Sequence, residues 1–316
     1  MLSRRNIRIK VMQLLFSLNK DEKPVANKVV DKFETYVKKS FELYLFNLYV
    51  LTEVCQYAKK DEEKRHGKYL PTPEDLLFRA KLLENDCTQS LIRNRDLKGL
   101  FQYHKFEEFY DTDLSRKLYF EYSKTDEYKD YVYNSESTEI HDIKALLELY
   151  KSCIKNELCA ELMEDHYSNL TDDKSLVVGV MKKTIKSLPV EGLFFNDYKP
   201  AEEAVNEFGN ILLHDVIEQD ETLLGMIEPV LKNWDADRVA NIDMILLKMA
   251  ISEMILFPTI PTTVTINEYI EISKMYSTEK SKDFINGVLE RMVEVLKEQG
   301  KLNKTGRGLG EELSDS

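Results

Sequence analysis

Apolar and polar positions repeat at helical spacing almost from end to end of this chain. Residues 3–19 place Ile7, Val11, Leu14, Leu15 and Leu18 at i, i+4, i+7, i+8 and i+11, one stripe for a core. Ile9, Met12 and Phe16 form a second stripe, so this helix is predicted to be deeply buried or to lie between its own core and a partner. A long amphipathic stretch follows from Asn27 to Lys59, with Val29, Phe33, Val37, Phe41, Leu45, Leu48 and Leu51 on its apolar side. The charged run Lys59–Lys68 contains Gly67, which predicts an exposed helix end there. Pro71 and Pro73 predict a new helix start capped by Thr72, with Leu76, Leu77, Ala80, Leu83 and Leu91 as its apolar side.

Residues 101–133 are dense in aromatics. Their helical spacing and the acidic neighbours Glu107, Glu108, Asp111 and Asp113 favour packing in a core or on a partner over stacking on bases. One long helix is predicted over Thr138–Tyr167 and a shorter one from about Asp172 to Ser187. Residues 188–200 break the pattern and read as a connection.

Beyond residue 200 the signals sharpen. Glu202–Glu218 is amphipathic, and Asp235 is placed to cap the following helix. Val239–Phe257 is apolar on nearly every side, as in a central, surrounded helix, and Pro258 and Pro261 end it. Thr265 and Glu268 fit a capping box. Thr278 is placed to cap a last helix running to about Lys297. In that helix Gly287 is expected to permit close packing, and Asn286 to bond a nearby loop. The polar, glycine-containing segment 300–316 is expected to be disordered.

Composition supports an all-helical reading. Among 316 residues there are only 11 Gly and 8 Pro, few for a strand-and-turn fold. The four cysteines form no C-x-x-C pair, which disfavours a zinc knuckle and favours reduced, packed thiols in a cytoplasmic protein. No stretch is apolar enough for a signal peptide or a membrane span. Adjacent His214 and Asp215 point apart on a helix, Glu63-x-x-His66 has no second copy, and Gly306-Arg-Gly308-Leu-Gly310 lacks a preceding strand. No enzyme site and no cofactor are expected.

Charge narrows the picture further. The whole chain carries −12, yet its first twenty residues hold Arg4, Arg5, Arg8, Lys10 and Lys20 with no acid, leaving −17 for the rest. A basic end on an acidic body predicts a restricted anion site rather than general affinity for polyanions.

The segment Ile260–Glu290 joins a Val-x-Ile-Asn-Glu helix start (264–268) to a Ser-x-x-Phe-Ile-Asn-Gly-Val-Leu-Glu helix (281–290) through a short loop. In this it resembles the C-terminal signature of the NusB family. The opening Arg-Arg-x-x-Arg with Gln13-x-Leu15 and the helix 237–257 fit as well, so the resemblance covers about 3–19 and 203–298. It implies an all-α fold of two NusB-type helical bundles, the N-terminal one enlarged by an inserted segment at about 21–200. The expected divisions are therefore 1–200, 201–299 and the tail 300–316.

The function the resemblance implies is transcription antitermination without catalysis. Such proteins pair with a small-subunit ribosomal protein, NusE, on boxA-type single-stranded RNA within the transcription elongation complex, away from membranes. Arg4, Arg5 and Arg8 fall on the family's RNA motif, and Phe16 and Asp243 near its ribosomal-protein surface. Lys280 stands where relatives often have Asp. With the charge pattern, the expected RNA residues are Arg4, Arg5, Arg8 and Lys10, together with Thr278, Lys280, Ser281 and Lys282 at a helix start. The alternatives are a helical module in ribosomal RNA maturation and a purely protein-binding scaffold.

Overall fold

The computed structural model describes residues 2–18, 25–134, 138–167, 170–231 and 239–306. Among these there is no strand. The α-helices are α1 (Arg4–Ser17), α2 (Ala26–His66), α3 (Pro73–Leu77), α4 (Lys81–Glu84), α5 (Asp86–Ile92) and α6 (Arg95–Tyr103). Next come α7 (Phe106–Phe109), α8 (Thr112–Ser123), α9 (Asp126–Tyr133), α10 (Glu139–Lys155), α11 (Glu157–His166) and α12 (Leu170–Lys186). The chain ends with α13 (Ile211–Glu218), α14 (Asp220–Ile227), α15 (Asn241–Leu256), α16 (Thr262–Tyr276) and α17 (Ser281–Glu298). A π-helix, Glu203–Asn210, leads into α13. The expected cap Asp235 lies outside the described residues.

Two compact units result, one of residues 38–199 and one of 2–37 with 200–316. The first helix, which the sequence groups with the N-terminal segment, thus packs with the C-terminal helices. The physical reason is its apolar stripe: Ile7, Val11 and Leu14 are fully buried, and α1 lies against α15 and the π-helix.

In the unit 38–199, α2 is the central element. Leu43 to Phe46 are all buried in sequence, which only a helix surrounded on every side allows. The aromatic band packs there: Phe46 meets Phe106 edge to face at 5.3 Å, and Tyr119, Tyr122 and Tyr128 are buried. Their hydroxyls are satisfied, Tyr119 donating to Asp61 (3.0 Å) and Tyr122 to the Ala145 carbonyl (2.9 Å). The four cysteines are free thiols in this core.

Two predicted helices are cut short by side-chain caps. The expected helix after Pro73 is three helices, because Thr72 forms a capping box with Asp75 and Asn85 accepts from the Thr88 amide (2.8 Å). Leu76 and Leu77, expected on its apolar side, are exposed instead. The helix expected over 138–167 breaks at Asn156, whose side chain accepts from the Cys159 amide and starts α11.

In the other unit, α15 is buried on nearly every side, Leu246, Leu247, Met249, Ala250, Ile251 and Met254 being sealed from solvent. The predicted capping box at Thr265 is not one: α16 already starts at Thr262 behind Pro261, and Thr265 lies inside the helix. The tail expected to be disordered is held as far as Gly306, the last described residue. Lys304 is buried and donates to the Phe257 carbonyl (3.1 Å), and the Thr305 amide donates to the Pro258 carbonyl (3.0 Å).

Candidate functional site

Ser3 caps α1 by accepting from the Asn6 amide (3.4 Å), which sets Arg4, Arg5 and Arg8 in the first turns. Arg4 and Arg8 are four residues apart and share a face. Both guanidinium groups lie over the Phe208 ring, at 5.7 and 5.0 Å from its centre. Phe208 comes from the π-helix, whose Gly209 lets that backbone approach Phe33 and Ile7 more closely than a side chain would allow.

Each arginine meets a glutamate. Arg8 is 3% exposed and donates twice, Nε and Nη2 each at 2.7 Å, to the fully buried Glu253. Thr265 Oγ1 (2.9 Å) and Tyr269 OH (3.0 Å) also donate to Glu253, so each carboxylate oxygen accepts two hydrogen bonds. Burial works against the Arg8 charge, but the bonds and charge of Glu253 outweigh it and raise the guanidinium pKa. Burial likewise holds Tyr269 well above the ordinary tyrosine range. Arg5 donates twice to Glu268 at 2.7 Å, and these bonds lower the Glu268 pKa. Arg4 reaches Glu203 at 3.2 Å. Three cations thus face three carboxylates, and the local surplus read from the sequence is largely neutralised.

The structure therefore divides the expected RNA residues. Arg8 and Lys10 are largely buried, whereas Arg4 and Arg5 side chains are 47% and 44% exposed. Arg4, Arg5 and Arg8 line an open cleft of about 430 Å³ with Ile260, Val264 and Glu268.

The second expected segment starts α17. Ser281 is buried; its Oγ donates to Asp243 Oδ2 (2.7 Å) and bonds the Thr278 hydroxyl (2.8 Å). Thr278, Lys280 and Lys282 are exposed. Asp243, expected near a partner surface, is only 5% exposed, because it anchors this helix start from within. Phe16, by contrast, is 50% exposed. The two basic segments are held by the same helix. Both attach to α15, Arg8 through Glu253 and Ser281 through Asp243, ten residues apart, or about 15 Å along the axis.

The sequence reading missed Glu253, Thr265, Tyr269 and Phe208. One signal was present: Glu253 is a carboxylate in the middle of a helix apolar on nearly every side, and such a group needs a buried cation. Gly287 also differs from expectation. A Cβ there would meet nothing within 4 Å, and Asn286 donates to Glu290 of its own helix (2.9 Å).

A family model described as the NusB family matches residues 175–294. The transcription antitermination protein NusB of Geobacter sulfurreducens is 34% identical over 115 residues, 36% of this chain and 83% of that protein. The chain belongs to the NusB family. The NusB proteins of Salinibacter ruber and Chloroherpeton thalassium are both 41% identical, over 106 and 98 residues. Those alignments cover 34% and 31% of this chain and span 66% and 46% of the two relatives. No solved structure matches. The NusB family match begins within α12, so it does not cover most of the unit 38–199. Among the described residues, no helix is long and apolar enough to cross a membrane.

Proposed function

We propose that the chain is a transcription antitermination factor. It acts in the cytoplasm as a non-enzymatic adaptor that holds boxA-type single-stranded RNA and pairs with the small-subunit ribosomal protein NusE in the transcription elongation complex. The observation that carries this reading is the alignment spanning 83% of a relative named for transcription antitermination. Arg4 and Arg5 form the main RNA contact, since a planar guanidinium grips phosphate and stacks on unpaired bases. Thr278, Lys280 and Lys282 add a second contact, with Ser281 holding the helix start in place. Phe16 serves the ribosomal protein, and Asp243 acts indirectly by anchoring α17.

Fluorescence anisotropy with a labelled boxA-type RNA tests the assignment. The double variant R4Q/R5Q is expected to bind at least tenfold more weakly at moderate salt, or about 1.4 kcal/mol, with a flatter salt dependence. K280D is expected to weaken binding less. Unchanged affinity and salt slope in R4Q/R5Q would overturn the assignment.

A second reading, a protein-binding helical scaffold without RNA affinity, is favoured by one observation: Arg4, Arg5 and Arg8 each already face a glutamate. It requires that no salt-dependent RNA binding be seen in the unaltered protein.

A further inference from the structure

The unit 38–199 has a cleft of its own, of about 210 Å³, between α2 and the corner joining α6 to α7. Tyr49, Glu53 and Gln56 stand at i, i+4 and i+7 on α2 and so share one face. Phe101 and Glu107 reach the same cleft from the two sides of the corner. Lys105 makes that corner by adopting φ 54°, ψ 38°. This left-handed conformation is costly for a residue with a Cβ, and such strain persists where the surroundings enforce it.

The walls combine aromatic surface with negative charge. Tyr49 and Phe101 meet edge to face, with ring centres 5.2 Å apart. Burial pushes the Tyr49 hydroxyl up to about 12, helped by the charges of Glu53 and Glu107, which places both carboxylates near it. Burial also raises the Glu53 pKa. Among the described residues neither carboxylate is in an ion pair; Glu53 accepts a hydrogen bond from the neutral Gln56 amide (2.7 Å). Lys98 borders the cleft from an exposed position. With both carboxylates ionised, the residues lining the cleft carry one negative charge in excess, and Lys60, outside the lining, also acts on Glu53.

We propose that this cleft binds the alkylammonium or guanidinium group of an organic cation. Glu53 and Glu107 take the charge, and Tyr49 and Phe101 pack against the group's face or its carbon stem, as aromatic rings do with cations. One monovalent cation matches the charge of the lining residues. Its volume is below the roughly 300–1,000 Å³ of pockets for drug-sized ligands, which suits the end of a side chain or of a linear amine. Two sources share this chemistry: a lysine or arginine side chain of a basic protein partner, and a free polyamine.

Isothermal titration of the full chain at low salt tests this with three probes. They are spermidine, the blocked tripeptide Gly-Arg-Gly, and the blocked neutral tripeptide Gly-Gln-Gly. At least one of the cations is expected to bind at least tenfold more tightly than Gly-Gln-Gly. Binding by the tripeptide alone assigns a protein side chain, and binding by spermidine alone assigns a free amine. E53Q/E107Q is expected to lose at least tenfold in affinity, while E63Q, an exposed change elsewhere on α2, leaves it unaltered. K98Q removes a competing cation from an exposed position without threatening the fold, and is expected to tighten binding about threefold. Equal affinity for charged and neutral probes, or affinity unchanged in both E53Q/E107Q and K98Q, would overturn the proposal.

Discussion

Arg8 and Glu253, 245 positions apart in the chain, form a two-bond ion pair almost wholly sealed from solvent. The pair joins α1 to α15 inside the core.

Removing one member should be severe. E253Q leaves a buried guanidinium without its counter-charge and is expected to cost about 3–5 kcal/mol, read from urea denaturation. The double change R8M/E253M should recover a substantial part of that loss, since apolar replacements of similar size remove both desolvation costs together. An E253Q protein of full stability would show that the pair contributes nothing.

Two glycines should respond in opposite ways. A Cβ at Gly209 would lie 2.6 Å from Phe33 Cζ and 2.8 Å from Ile7 Cγ2, so G209A is expected to destabilise by about 1–3 kcal/mol. G287A meets no neighbour in the middle of α17 and is expected to stabilise by up to about 1 kcal/mol. Thermal unfolding of the two variants decides both.

Phe16 is exposed enough to be charged without loss of fold. F16D is expected to change stability by no more than about 0.5 kcal/mol, the usual range for surface positions. On the proposed function it abolishes capture of the ribosomal protein. A variant that still captures it would remove Phe16 from the contact.

Acid should loosen the turn before α3. Hydrogen bonds from Lys68, then from the Thr72 backbone, lower Asp75 from 3.8 to about 2. A carboxyl depressed in the folded state adds stability that is complete above its unfolded value and is lost as pH falls through the folded one. The stability gap between the unaltered protein and D75N should therefore be constant near neutrality and shrink between about pH 4 and pH 2. Urea midpoints measured across that range provide the check.

Much of this architecture is legible in the sequence. The stripe Ile7–Val11–Leu14 is buried as its spacing implies, and the prolines after Phe257 end α15. Helix lengths were less legible, because a single cap such as Asn156 outweighs a continuous apolar pattern. The site was read as charge and found as pairing. Arg8 looks like a free cation in a stretch without acids, but its partner is Glu253, far along the chain. Local composition cannot reveal a counter-charge supplied by a distant helix.

On the proposed function, that pairing changes what RNA binding at the arginine cleft involves. Glu203 and Glu268 already occupy the seats that phosphate oxygens would take on Arg4 and Arg5. An incoming anion does not settle onto bare charge; it exchanges places with a carboxylate that must then be rehydrated. On that reading the exchange favours a ligand that adds stacking or base-edge contacts to its phosphates over one offering phosphate alone. On the proposed function the glutamates would thereby act as a threshold against arbitrary polyanions, and an acidic protein would gain selectivity from the neutralisation that weakens its grip.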